Sequence, residues 1–125
     1  MSQGKRLFFV GRAREALTRF PDEVKRVVGF ALYLAQRGTK HEDAKPLKGF
    51  GGTGVLEIVE THERNAYRAV YTVRFREAID VLDAFQKKSK KGIKTPKFDV
   101  DRVRSRLKRA ERHHAEWIQT KNEGE

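Results

Sequence analysis

The first forty residues carry apolar positions at helical spacing, preceded by one short apolar run. Residues 5–10 form that run and predict a first strand. Apolar residues then recur every three or four positions between residues 24 and 35, which predicts a helix with one buried side. Pro21 suits its first turn, and Gly38 is expected to end it in the left-handed conformation. A shorter apolar pattern at residues 13–20 predicts a preceding helix, so the two are expected to form an antiparallel hairpin.

The pattern changes from helical to strand-like after residues 38–54, a segment that holds five of the ten glycines and is interpreted as a loop. Short runs rich in β-branched and aromatic residues follow, and then a charged segment with a helical apolar stripe. The predicted elements are strands at residues 55–61, 67–75 and 78–85 and a last helix at residues 99–118. Residues 118–125 are predicted to be a polar tail.

This element order predicts an α+β fold in a single domain over residues 1–125: a small antiparallel twisted sheet packed by an N-terminal helical hairpin, with a C-terminal helix. The helices are expected to cover one face of the sheet. Alternation along the middle strand puts Tyr67 and Tyr71 on that face and Arg68 and Arg74 on the other. The uncovered face would then be a shallow basic groove.

The net charge of the chain indicates which class of partner it binds. The formal net charge is +11, with +6 in residues 1–50, +4 in residues 51–98 and +1 in residues 99–125. Five lysines lie between residues 87 and 94, directly after the apolar run of residues 78–85. Such a field attracts phosphate polymers, acidic membrane surfaces or acidic proteins, and nucleic acid is the leading expectation. The chain has no cysteine, no signal-peptide pattern and no membrane-span pattern, which predicts a cytoplasmic protein.

Three segments together carry a resemblance to a known family. They read KPLKGFGGTGVLEI, YRAVYTV and VLDAFQKKSKKGIKTP, in this order along residues 45–96. The combination resembles the phage-derived HigB-like branch of the RelE/ParE toxin superfamily, over about residues 20–110. The resemblance implies the toxin half of a type II toxin–antitoxin pair, a ribosome-dependent mRNA endonuclease with a RelE-like fold. It also implies a helix-turn-helix antitoxin, mRNA and the ribosome as partners, and no metal or other cofactor.

The same resemblance nominates site residues. Arg68 matches the arginine that contacts the scissile phosphate in RelE-type relatives, Lys87 and Lys88 match a basic position at the end of the last strand, and Lys48 matches one ahead of the sheet. We therefore predict that Arg68, Lys87 and Lys88 are catalytic. The predicted RNA-binding residues are Lys48, Arg74, Lys90, Lys91 and Lys94.

The predicted chemistry is attack of the ribose 2′-OH on the adjacent phosphorus, with cations around the developing charge. Arginine suits that task because it is permanently charged and can fork two donors onto one phosphate. Crowding by other cations lowers a lysine pKa, so one lysine of the segment would protonate the leaving 5′-oxygen. The alternative readings are an Arg68 that merely pairs with Glu57 or Asp80 across the sheet, and a lysine segment that binds ribosomal RNA without chemistry.

Departures from the RelE pattern keep other functions open. RelE-type enzymes carry lysines on the strand where this chain has Glu57 and Val59, and they carry a late tyrosine, whereas the last tyrosine here is Tyr71. One alternative is a toxin that poisons DNA gyrase, as the ParE branch does. Another is a non-toxic basic RNA-binding module. His62, in the predicted hairpin turn, is the histidine considered as a candidate base; the four histidines form no metal-ligand spacing.

Overall fold

A five-stranded mixed sheet with helices on both faces forms the centre of the molecule. The computed structural model describes residues 4–52, 54–87 and 95–123, with the side chain of Lys87 outside the description. The elements are β1 (Arg6–Phe9), α1 (Ala13–Thr18), α2 (Asp22–Gln36), β2 (Lys45–Pro46), β3 (Val55–His62), β4 (Asn65–Thr72), β5 (Ala78–Lys87) and α3 (Lys97–Glu123). The strand order is β1-β5-β4-β3-β2. This architecture confirms the predicted α+β class with its C-terminal helix.

The sheet is antiparallel except at one edge, where β1 pairs with β5 in parallel. The three strands predicted to be antiparallel, β3, β4 and β5, are antiparallel, and β1 adds a parallel edge that the prediction did not specify. β3 and β4 meet through a two-residue turn, Glu63 and Arg64, both with positive φ (48° and 71°). A two-residue turn with both residues in the left-handed region has a backbone twist that matches the right-handed twist of the two strands it joins. β2 is a two-residue strand inside the segment predicted to be a loop.

The first core lies on the face of the sheet that α1 and α2 cover. Ile58, Tyr67, Tyr71 and Val81 of the sheet meet the apolar side of α2 there, together with Phe20. The ring of Phe20 packs edge-on against Tyr67, with centroids 5.0 Å apart. α2 ends as predicted, because Gly38 adopts φ +83° and the backbone N–H of Thr39 bonds to the carbonyl of Leu34. The prediction that Tyr67 and Tyr71 face the N-terminal helices is confirmed.

The second core lies on the opposite face, between the sheet and α3. Val70 and Leu82 pack there against Val103 and Leu107 of α3. The expectation that helices cover one face only was wrong. β4 alternates small and aromatic apolar residues on one side with Val70 and Thr72 on the other, and a sheet that is apolar on both sides must bury both.

α3 is longer than its pattern indicated, running from Lys97 to Glu123 into the segment predicted to be a tail. Trp117, near the end of the predicted helix, packs edge-on against Phe8 of β1, with ring centroids 5.2 Å apart. His114, one turn earlier, stacks on Phe75 at 4.3 Å. No helix of the described part of the chain is long and apolar enough to span a membrane.

Candidate nucleic-acid interface

Arg68 lies near the middle of β4 and its side chain is enclosed. It is 2% exposed, and its Nη1 donates to Glu57 Oε2 on β3 at 3.3 Å and to Thr95 Oγ1 at 3.2 Å. The hydroxyl of Thr95 in turn donates to the same Glu57 oxygen at 2.9 Å. An arginine, a carboxylate and a hydroxyl therefore form a closed triangle on the face of the sheet that α3 covers. We call these three residues the Arg68 triangle.

The burial of Arg68 corrects the predicted open groove. Arg68 does point to the face opposite the two tyrosines, but α3 and Thr95 cover that face. Its partner is Glu57, which leaves the charge of Arg68 compensated in this conformation. The pairing is the alternative that the sequence left open, here with a buried rather than an exposed arginine.

The lysine segment begins where β5 ends, close to the Arg68 triangle. Arg68 is in register with Phe85 on β5, and Lys87, the last residue of that strand, is in register with Ala66. Thr95 resumes the described chain after the segment and is a member of the triangle. Lys88, Lys90, Lys91 and Lys94 lie outside the described residues. In the backbone register, Lys87 therefore lies two positions along the sheet from the residue that pairs with Arg68.

Arg74 and Lys48 lie elsewhere. β4 ends at Thr72, so Arg74 does not share a strand face with Arg68 as predicted. Its guanidinium Nη2 donates to the carbonyl of Phe50 instead, and Arg104 of α3 covers the Phe50 ring at 4.7 Å. Lys48 is exposed two residues before Phe50. These three cations surround one loop beyond the end of β4 opposite the Arg68 triangle. The two predicted RNA-binding residues that the structure describes, Lys48 and Arg74, therefore lie together and apart from Arg68.

A network of buried charges attaches α3 to the sheet beside the Arg68 triangle. Asp83 of β5 is 3% exposed; its Oδ2 accepts from Arg102 Nε at 2.7 Å and its Oδ1 from Arg106 Nη1 at 2.9 Å. Arg102 also donates to Asp99 Oδ1 at 2.7 Å. Burial works against the charge of Arg102, but the hydrogen bonds from Asp83 and Asp99 outweigh it and raise the pKa of the guanidinium. We call these four residues the Asp83 clamp.

The sequence itself contains a signal for the Asp83 clamp. Asp80 and Asp83 interrupt an otherwise apolar run, and α3 carries Arg102 and Arg106 four residues apart, on one side of the helix. A carboxylate inside a buried strand requires a cationic partner. Arginines at helical spacing in the next element are the natural source of that partner.

His62 is unsuited to the proposed role of base at the Arg68 triangle. It ends β3 at a position whose side chain shares the face of Leu56 and Ile58, opposite Arg68. Its Nδ1 lies 3.4 Å from Glu23 of α2. His62 is therefore not placed to act as the candidate base, because strand alternation directs it to α2. Among the described residues, no three His, Asp or Glu side chains could hold a metal ion together.

A pocket of about 190 Å³ lies between β1, β5 and the second half of α3. Asp80, Phe8, Arg109 and His113 are among its lining residues. Asp80 is 1% exposed, and its Oδ1 has no hydrogen-bond partner among the described residues. Burial raises the pKa of Asp80, while the neighbouring His113 and His114 oppose the rise. An ionised Asp80 is therefore a source of instability.

Replacing Asp80 by asparagine is expected to raise the melting temperature near neutral pH. The folded-state pKa lies above the unfolded value of about 3.9, so the stabilising contribution of Asp80 is full below that value and is lost as pH rises through the folded pKa. The gain should be on the order of 1 kcal/mol, or about 4 °C, and should vanish near about pH 4. Thermal melts across this range measure it, with the exposed Asp101→Asn as control. Equal melting temperatures of Asp80→Asn and the unmodified chain at neutral pH would contradict the assignment.

The chain matches one protein family by sequence and a known toxin by structure. A family model described as "Phage derived protein Gp49-like" matches residues 15–108. Among solved structures, a free-state mutant of the E. coli toxin RelE is similar, with a TM-score of 0.50 and 19% sequence identity, covering 66% of this chain and 82% of that one. The sequence search against curated proteins found no match. The structural likeness supports a RelE-like fold, and the family match covers most of the sequence. The chain belongs to the phage-derived Gp49-like family.

Proposed function

We propose that this protein is the toxin of a type II toxin–antitoxin pair and that it cuts mRNA on the ribosome. Its Gp49-like family membership and RelE-like fold support a toxin of the RelE-type superfamily. The observation that carries the finer proposal is the position of Arg68. It is fixed on β4 in register with Phe85, two residues before β5 ends and leads into the five-lysine segment. A helix-turn-helix antitoxin is the proposed protein partner.

The Arg68 triangle offers a route for the reaction. In the resting arrangement Glu57 accepts hydrogen bonds from both Arg68 and Thr95. The Arg68 side chain is 2% exposed, so a substrate phosphate must displace the residues that cover it before it takes the Arg68 fork. Glu57 would then be released as a proton acceptor for the 2′-OH. The 2′-oxygen then forms a bond to phosphorus and the bond to the 5′-oxygen breaks. The products are a 2′,3′-cyclic phosphate and a 5′-hydroxyl.

The leaving 5′-oxygen needs a proton, and the lysine segment is the proposed donor. Lys87 and Lys88 are the members that the resemblance nominates, while Lys90, Lys91 and Lys94 would contact the RNA backbone. Arg68 would stabilise the charge that develops on the phosphate oxygens, which is the largest catalytic contribution in reactions of this kind. No step in this scheme requires a metal ion.

Induction of the chain in cells tests the proposal directly. Growth is followed while mRNA 5′ ends are mapped, beside a chain carrying Arg68→Ala. We expect growth arrest with new 5′ ends inside translated frames, both absent with the variant. Arrest with intact mRNA would contradict the ribonuclease activity, and normal growth would contradict a toxin of any kind.

The lysine segment should make RNA binding strongly dependent on salt. Replacing Lys88, Lys90 and Lys91 by glutamine is expected to reduce the slope of log affinity against log salt by about 2, since each phosphate contact of a single strand contributes about 0.7. Filter binding or anisotropy with an RNA oligonucleotide measures the slope. Replacing Lys108, Arg112 and Lys121 of α3 removes the same charge elsewhere, and an equal fall with that control would contradict a local binding site.

A toxin directed at DNA gyrase is the second candidate. The observation that favours it is the composition of β3, where Glu57 and Val59 stand in place of the lysines of RelE-type enzymes. Gyrase supercoiling assays with the purified chain separate the two. Inhibition of supercoiling, with mRNA left intact on ribosomes, would select this candidate.

A further inference from the structure

The solvent side of α2 carries an aromatic pair between two arginines. Arg26, Phe30, Tyr33 and Arg37 follow one another at intervals of four, three and four residues, which places them on one side of the helix. Val24, Val28, Ala31, Leu32 and Ala35 occupy the buried side. We call the four outward residues the α2 stripe.

The exposed aromatic surface of α2 is formed by two adjacent side chains. Phe30 is 52% exposed and Tyr33 is 48% exposed, and their rings lie nearly parallel with centroids 6.4 Å apart. The other large apolar side chain of comparable exposure in the described part of the chain, Phe98, lies on α3. Adjacent exposed aromatics form a contiguous apolar patch, and such patches mark interaction sites.

The charges around the patch indicate what it binds. The acidic residues of α2 lie in its first turn and already have partners, Asp22 with Lys25 and Glu23 with His62. No carboxylate of the described residues lies within 4.0 Å of the guanidinium of Arg26 or of Arg37. An apolar centre between two such cations is complementary to apolar side chains flanked by carboxylates. A second copy of this chain is disfavoured because each copy carries +11.

The rings themselves favour a protein over RNA. Arg37 covers the face of Tyr33, with its Cζ 4.7 Å from the ring centroid, and His41 packs edge-on against Phe30 at 5.7 Å. Stacking of bases requires open ring faces. Burial of an aromatic pair with its flanking arginine suits a protein interface, where Tyr and Arg carry much of the binding energy.

We propose that the α2 stripe is a docking site for an acidic amphipathic helix of a partner protein. Apolar side chains of that helix would cover Phe30 and Tyr33, and its carboxylates would pair with Arg26 and Arg37. The stripe is on the face of the sheet opposite Arg68, since α2 packs on the first core and Arg68 points toward α3. Docking therefore leaves access to the Arg68 triangle unchanged. The inference goes beyond the proposed RNA cleavage and does not depend on it.

A synthetic helical peptide of about 18 residues, with leucines on one side and glutamates beside them, is the probe. Its match carries lysines in place of the glutamates, and an RNA oligonucleotide of similar length is the third probe. We expect the acidic peptide to bind the full chain and to shift the Phe30 and Tyr33 resonances. Phe30→Ala with Tyr33→Ala should weaken binding about tenfold or more, while Phe98→Ala should not.

Charge reversal provides the second arm. Arg26→Glu with Arg37→Glu should reverse the preference, so that the lysine peptide binds better than the acidic one. Lys108→Glu with Arg112→Glu makes the same change in net charge on α3 and should leave the preference unchanged. The proposal is overturned if both pairs of variants act equally, if the aromatic variants bind as the original chain does, or if only RNA shifts the two aromatic resonances. Loss of mRNA cleavage in cells would leave these outcomes unaffected, so the two proposals fail separately.

Discussion

Asp83→Ala is expected to lower the free energy of unfolding by about 3–5 kcal/mol, the range for removing one partner of a buried ion pair. The carboxylate is 3% exposed and accepts from Arg102, from Arg106 and from the backbone N–H of Ala84. Its removal leaves two guanidinium groups partly buried against the sheet. Asp99 and the Leu82 carbonyl remain as their hydrogen-bond acceptors among the described residues. Chemical denaturation followed by circular dichroism measures the change.

Two further variants make this expectation specific. Asp83→Asn keeps the shape and one acceptor but removes the charge, so it should fall between Asp83→Ala and the original chain. Asp101→Ala removes an exposed carboxylate of α3 and should change stability by less than about 0.5 kcal/mol. A loss below about 1 kcal/mol for Asp83→Ala would mean that the apolar contacts of α3 alone hold the helix on the sheet.

The sequence predicted the elements that local pattern determines. The helical spacing of apolar residues identified α2, and Gly38 identified its end, because both depend on residues within a few positions. The alternation in β4 correctly assigned Tyr67 and Tyr71 to the face of the sheet that the N-terminal helices cover. Local patterns suffice where one side of an element is buried and the other is exposed.

The coverage of both sheet faces could not be predicted in the same way. A strand with arginines on one side has the pattern of a strand whose polar side meets solvent. The burial of Arg68 depends on Glu57, eleven positions away, and on Thr95, 27 positions away. The parallel pairing of β1 with β5 likewise joins residues more than 70 positions apart. Such pairings are tertiary, and no periodicity encodes them.

The candidate site was predicted in part for the same reason. Arg68 and the start of the lysine segment lie close together because the adjacent strands β4 and β5 carry them. Strands that follow each other in the sequence often pair, so this proximity could be predicted. Arg74 was misplaced because β4 ends at Thr72, where the hydroxyl accepts from the backbone N–H of Arg74 and donates to the carbonyl of Gly54. That local hydrogen bonding turns the chain away from the sheet.

Arg68→Ala is expected to abolish mRNA cleavage and also to destabilise the fold, and the two effects must be separated. Truncation leaves Glu57, whose side chain is 19% exposed, hydrogen-bonded to Thr95 alone among the described side chains. The expected loss is about 2 kcal/mol, the scale of a hydrogen bond to a charged group. Growth arrest lost through unfolding would resemble growth arrest lost through chemistry. The alanine variant by itself therefore cannot assign the role.

Arg68→Lys separates the two roles. Lysine keeps the charge beside Glu57, so the melting temperature should fall by only a few degrees, but it cannot fork two donors onto one phosphate. Cleavage in translated frames should then drop about tenfold or more while the folded fraction is unchanged. Glu57→Gln should likewise fold, since glutamine still accepts from Thr95, and should lose cleavage if Glu57 takes the 2′-OH proton. A lysine variant that cleaves at the original rate would make Arg68 a purely structural residue and would move the proposed site to the lysine segment.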